Sequence, residues 1–123
     1  MASEFHIPAG SGERFLLRDD EFRFLVRGSQ TGGTYSLTEV HVPVGGGPGP
    51  HRHPSEEWFY VLGGDALFHL GSQEVAVGVG DLVRIPAGTE HWFEVPADPV
   101  HLLSGFVPAG EEEVLRELMR PMD

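Results

Sequence analysis

Hydrophobic and polar residues alternate in short runs along most of this chain, with a period near two, and each run is bounded by Gly, Pro or Asp. Such runs read as β-strands joined by tight turns. Arg14 to Arg18 and Glu21 to Gly28 read as two short strands around Asp19-Asp20. After Gly32-Gly33, Thr34 to Val44 reads as a longer one. Glu57 to Leu62 and Ala66 to Leu70 flank Gly63-Gly64-Asp65, which reads as a hairpin connection. Gln73 to Val77, Asp81 to Ile85, His91 to Val95 and Val100 to Val107 follow. Only Glu111 to Arg120 has helical spacing, with Val114, Leu115, Leu118 and Met119 on one face. Its Glu111-Glu112-Glu113 start complements the positive end of the helix dipole. The pattern therefore predicts an all-β domain over residues 1–123 with one C-terminal helix (about 111–120) packed on its outside. There is no internal repeat.

Parity along the strands then assigns faces. Side chains at i and i+2 share a face, so His51 and His53, read as extended, project together. If Glu57 points inward, so do Phe59 and Val61, while Trp58 and Tyr60 point outward. If His91 points inward, so do Phe93 and Val95. The interior would bring His51, His53, Glu57 and His91 against Phe59, Val61, Phe93 and Val95. Imidazole and carboxylate suit zinc, iron, nickel, copper and manganese, whereas calcium and magnesium want mostly oxygen. Phe59, Val61, Phe93 and Val95 either line a pocket for a small molecule or simply fill the core. The outward Trp58 and Tyr60 call for cover from the helix or a second subunit, which makes a homodimer the expected assembly. His6, His41, His69 and His101 are expected to be hydrogen-bonded structural or surface groups.

Two spaced motifs frame the four metal-ligating candidates. The first runs from Gly45 through His51-Arg52-His53 and Glu57 to Gly64; the second from Gly80 through Pro86-Ala87-Gly88 to His91. Together they resemble the paired motifs of the cupin superfamily, the small β-barrel metalloproteins that include quercetin dioxygenases, germins, oxalate-degrading enzymes and sugar isomerases. The resemblance implies a single cupin (double-stranded β-helix, jelly-roll) barrel with its motif core at 45–95. It also implies one divalent transition metal, iron foremost and manganese, nickel, copper or zinc as alternatives, held by His51, His53, Glu57 and His91. One position departs from the pattern: where the second motif usually ends in asparagine, this chain has Val95. The asparagine is not a ligand, so the departure bears on chemistry needing an amide there.

Composition narrows the function. At 123 residues, with 17 glycines and 10 prolines, the chain fits one domain of many short strands. The absence of cysteine excludes disulfides and thiolate-bound structural zinc. A formal charge of −11 opposes nucleic-acid binding. Met1 to His6 lacks the basic start and apolar run of a leader, and no apolar run reaches membrane-spanning length, so a cytoplasmic protein is expected.

Three functions are consistent with these features. One is a dioxygenase-type oxidoreductase acting on a small, largely apolar or aromatic oxygen-bearing molecule, with Glu57 doubling as a catalytic base. Another is a non-redox metal-dependent isomerase, cyclase or decarboxylase. The third is a non-catalytic metal- or ligand-binding barrel.

Overall fold

The computed structural model describes Ser3 and residues 5–122. Met1, Ala2, Glu4 and Asp123 lie outside the described residues, and with them part of the opening segment read above for a leader. The strands are β1 (Glu13–Leu17), β2 (Asp20–Val26), β3 (Ser36–Val42), β4 (Glu56–Gly63), β5 (Asp65–Leu70), β6 (Gln73–Gly78), β7 (Leu82–Ile85), β8 (His91–Glu94) and β9 (Val100–Val107). A helix α1 (Glu111–Leu118) and a two-residue strand β10 (Arg120–Pro121) end the chain. The strands form a seven-stranded sheet in the order β10-β1-β2-β3-β9-β4-β7 and a three-stranded sheet in the order β6-β5-β8. The described ladders are antiparallel. Among the described residues, no helix is long and apolar enough to cross a membrane.

Period-two burial explains why these segments pair. In β3 the residues Ser36, Thr38, Val40 and Val42 are buried while their neighbours are not. β4 buries Glu57, Phe59 and Val61 in the same way. The rows from β3, β4 and β9 meet those of the smaller sheet: Phe59 lies 5.3 Å from Phe68 and 5.8 Å from Phe93. Full burial of a side chain such as Phe68 is worth about 1.5–3 kcal/mol relative to leaving it exposed. The hairpin expected between β4 and β5 does not form: β4 pairs with β7 and β9, and β5 with β6 and β8. Gly64 instead turns the chain from one sheet into the other, with a φ of +72° at a point where a Cβ would collide with the Pro99 carbonyl.

Three further expectations change. His51 and His53 do not lie on a ladder strand; His51 forms one isolated bridge, to His91. Pro50 and Pro54 flank the segment and have no N–H to donate, so an extended ladder cannot form there. The helix ends at Leu118 rather than near residue 120, because Arg120 and Pro121 pair with Leu16 and Phe15 of β1. Pro121 also disfavours a helical conformation at Arg120. Finally, α1 is not fastened to the outside of the barrel by its apolar face. Val114 and Leu118 remain 54% and 67% exposed. Polar groups anchor the helix instead: the buried Glu112 carboxylate accepts from the backbone N–H groups of Gly28 (2.8 Å) and Gly110 (2.7 Å). Arg27 donates to Glu113, and the Arg116 guanidinium lies 4.8 Å above the Phe15 ring.

The outward Trp58 is covered by its own sheet. It lies over Gly105 of β9, where a Cβ would come within 2.5 Å of the indole. Tyr60 remains exposed.

Candidate metal centre

The four side chains singled out by the motifs converge. Glu57 is the second residue of β4 and shares its inward face with Phe59 and Val61; His91 opens β8. His51 and His53 come from the loop before β4. That loop is stitched to the second motif by backbone hydrogen bonds from His51 N–H to His91 O (3.1 Å), from His91 N–H to His51 O (2.9 Å) and from Gly88 N–H to His53 O (2.9 Å). One nitrogen from each imidazole and one Glu57 oxygen all lie within 4.8 Å of one another. His53, Glu57 and His91 are buried and His51 is half-buried.

The hydrogen bonds fix what each imidazole presents. His51 Nδ1 lies 2.8 Å from Gly49 O, His53 Nδ1 2.9 Å from Ser55 O, and His91 Nδ1 2.8 Å from Thr89 O. A carbonyl oxygen only accepts, so each Nδ1 carries the proton and each neutral ring offers an Nε2 lone pair to the centre. There the Nε2 atoms of His53 and His91 lie 3.1 and 3.2 Å from Glu57 Oε1. Lone pairs thus face a carboxylate, an arrangement that requires a cation, supplied by a proton on an imidazole or by a metal ion. Bonds of about 2.1 Å meeting at right angles would set neighbouring donor atoms about 3.0 Å apart, close to these separations. The residues present therefore fit a metal ion. An octahedral ion would keep two positions open, and a four-coordinate one none.

Electrostatics agree with that demand. Burial pushes the Glu57 carboxyl up, but the hydrogen bonds that it accepts when His53 and His91 carry a proton on Nε2 as well outweigh burial and hold the carboxyl below its ordinary value. The bond to Glu57 raises His53 in turn. Burial lowers His51 and keeps that ring neutral.

The centre opens on a cavity of about 450 Å³. Its wall includes Phe22, Phe24, Phe59, Phe93 and Phe106, and the exposed side of α1 closes part of it through Val114 and Leu118. Of the pocket residues expected from parity, Phe59 and Phe93 stand in this wall. Val61 and Val95 do not: they are packed in the core, 0% and 2% exposed. Two polar groups were not anticipated. Ser104 donates its hydroxyl to Glu57 Oε2 at 3.1 Å, and Asp20 sits buried in the cavity wall. Ser104 leaves a signal in the sequence, as the one polar residue in the inward row Val100, Leu102, Ser104, Phe106.

The family follows from a match to known domains: a model of the cupin domain covers residues 38–106, more than half of the chain. The chain belongs to the cupin family. Quercetin 2,3-dioxygenase of Bacillus subtilis is 26% identical over 123 residues, covering 99% of this cupin and 36% of that protein. An acireductone dioxygenase of Synechococcus sp. is 42% identical over 53 residues, 40% of this chain and 28% of that protein. The chain thus spans about a third of the length of these curated relatives. Among solved structures, an RmlC-like cupin from Shewanella frigidimarina matches with a TM-score of 0.77 at 16% identity. The match covers 91% of this chain and 96% of that one, a likeness of fold. The jelly-roll barrel with a C-terminal helix is the cupin architecture.

Proposed function

We propose that His51, His53, Glu57 and His91 hold one divalent transition metal, iron in the first place. We further propose that this cupin is a dioxygenase-type oxidoreductase acting on a small, largely apolar or aromatic molecule that carries oxygen atoms. The observation that carries the reading is a three-nitrogen, one-carboxylate set in the wall of a cavity lined mainly by apolar side chains. Its volume, about 450 Å³, lies in the range of small-molecule sites. The two relatives named as dioxygenases support the reaction class, and their own substrates are not carried over.

A bound metal would supply Lewis acidity toward a substrate oxygen and the one-electron chemistry that reaction with dioxygen requires. The chain's own groups do the rest. Phe24, Phe59 and Phe106 hold the apolar part of the substrate and exclude water. Glu57 accepts the proton of a substrate hydroxyl at Oε2, the oxygen that Ser104 steadies. A homodimer belongs to the same reading: Tyr60, Leu62 and Leu82 stand 40%, 43% and 62% exposed on the outer face of β4 and β7, where a second copy would cover them. Sedimentation velocity tests that part.

The central test is elemental analysis of the purified protein beside His51→Ala, followed by oxygen uptake with a panel of phenolic and enolisable compounds. Stoichiometric iron, manganese, nickel or copper that the variant lacks, with oxygen consumed in proportion to substrate, supports the reading. Turnover without oxygen, or with zinc alone, moves the protein to an isomerase, cyclase or decarboxylase. A wild-type chain that takes up none of these ions overturns the metal centre and leaves a ligand-binding barrel.

A further inference from the structure

A second set of metal-ligating side chains occupies the opposite face of the seven-stranded sheet, and the function proposed above makes no use of it. β3 and β9 pair so that His41 stands directly opposite His101. Glu39 lies two residues before His41 and so shares its outward face. The two imidazoles stack at 3.9 Å with their planes 15° apart. His101 Nε2 lies 2.7 Å from Glu39 Oε2, and one ligand atom from each of the three residues falls within 4.8 Å of the others.

We propose that Glu39, His41 and His101 form a second transition-metal site, separate from the cavity, that takes zinc, nickel, cobalt or copper with water completing the coordination. Two nitrogens and one carboxylate are a donor set for such ions rather than for calcium or magnesium. Directly opposed residues of an antiparallel pair hold their Cβ atoms about 4.5–5.5 Å apart, so the ladder sets the chelating span in advance. Ligands fixed in this way lose little freedom on binding.

The surroundings fit the role. Arg23 donates its Nε–H to Glu39 Oε1 at 2.7 Å, which leaves Oε2 turned toward His101. On β2, Glu21 stands opposite His41, and Arg14 pairs with Glu21 at 3.6 Å. Two carboxylates and two guanidiniums balance, so chelation and not net charge drives binding. On β4, the residue opposite His101 is Gly63, whose missing side chain leaves the approach open. A metal ion takes the place of the hydrogen between His101 Nε2 and Glu39 Oε2. The imidazole proton moves to Nδ1, and a small outward swing of the stacked rings makes their lone pairs converge. Being half-exposed, the outer site binds more weakly than the buried one and fills second.

The test is titration of the metal-free chain with nickel or zinc ions alone, read by native mass spectrometry and calorimetry. Two equivalents are expected for the wild type. His91→Ala should keep only the outer equivalent, and His101→Ala only the inner one. His41→Ala should weaken the outer equivalent by about tenfold or more. His101→Gln, which still reaches Glu39 with a hydrogen bond, serves in place of His101→Ala if that variant does not fold. A second equivalent that survives unchanged in His41→Ala and in either His101 variant overturns the proposal, as does a wild type that binds one equivalent only, lost in His91→Ala. In that last case the inner centre stands. A single equivalent lost in His101→Ala and kept in His91→Ala would instead sink the inner centre and leave the outer one.

Discussion

The two halves of the barrel interior are built from the same strands and come out differently. Along β4, Glu57 and Phe59 face the cavity, whereas Val61 is sealed from solvent. Along β9, Ser104 and Phe106 face the cavity, whereas Leu102 is sealed. Alternation turns all these side chains inward but does not decide whether the space before them is filled. What lies across does. Val61 and Leu102 join the cluster that holds Phe68, Ala66 and Val77 of the three-stranded sheet. Glu57 and Ser104 look toward His91, the His51–His53 loop and one side of α1, which leave a cavity between them. One half is packed solid and the other holds the candidate metal centre, with strands in common.

The sharpest way to break this division is Glu57→Gln in the open half. It should abolish the inner metal equivalent and turnover while far-UV circular dichroism stays that of the folded barrel. Stoichiometric metal and full activity in this variant would remove the chemistry from that half. Next comes Phe68→Ala in the packed half, which should cost about 3–5 kcal/mol in urea unfolding. Metal bound per folded chain should not change, and a loss of metal without a loss of stability would contradict the separation. A smaller effect is expected from Ser104→Ala, which takes the hydroxyl from Glu57 Oε2. Inner-metal affinity should fall about 10–100-fold in chelator competition, with about 1 kcal/mol lost from folding.

Asp20→Asn is the subtlest. Burial raises the Asp20 carboxyl above its ordinary 3.8, partly offset by the Gly47 N–H and Arg18. The folded chain therefore holds that proton to higher pH than the unfolded chain. Stability falls as pH rises from the ordinary value through the raised one, and the penalty persists above. The asparagine variant should be more stable than wild type at neutral pH, with the gap closing below pH 3.8. Thermal melts across that range read the difference, and a gap independent of pH would point away from the buried charge.

Much of this was legible in the chain. Strand positions follow from local alternation, and Val100–Val107 is found at the bounds the pattern predicts. Motif spacing singled out the four side chains that converge. What escaped has long-range causes. Parity placed Val61 and Val95 inward but could not give their height along the barrel, which puts them in the core rather than at the cavity. The helix was read by its apolar stripe, yet buried Glu112 and the pairing of β10 with β1 position it, across most of the chain. His51 and His53 converge through bonds to the second motif, not through a strand of their own.

Each of the three Nδ1 atoms at the centre has a main-chain carbonyl beside it, that of Gly49, Ser55 or Thr89, and the Ser55 hydroxyl adds a side-chain partner to His53. Aim is thereby encoded in the path of two loops, and exchanging a neighbouring side chain takes no carbonyl away from an imidazole. Substitutions in the cavity wall would thus alter which molecule fits there without turning the three rings.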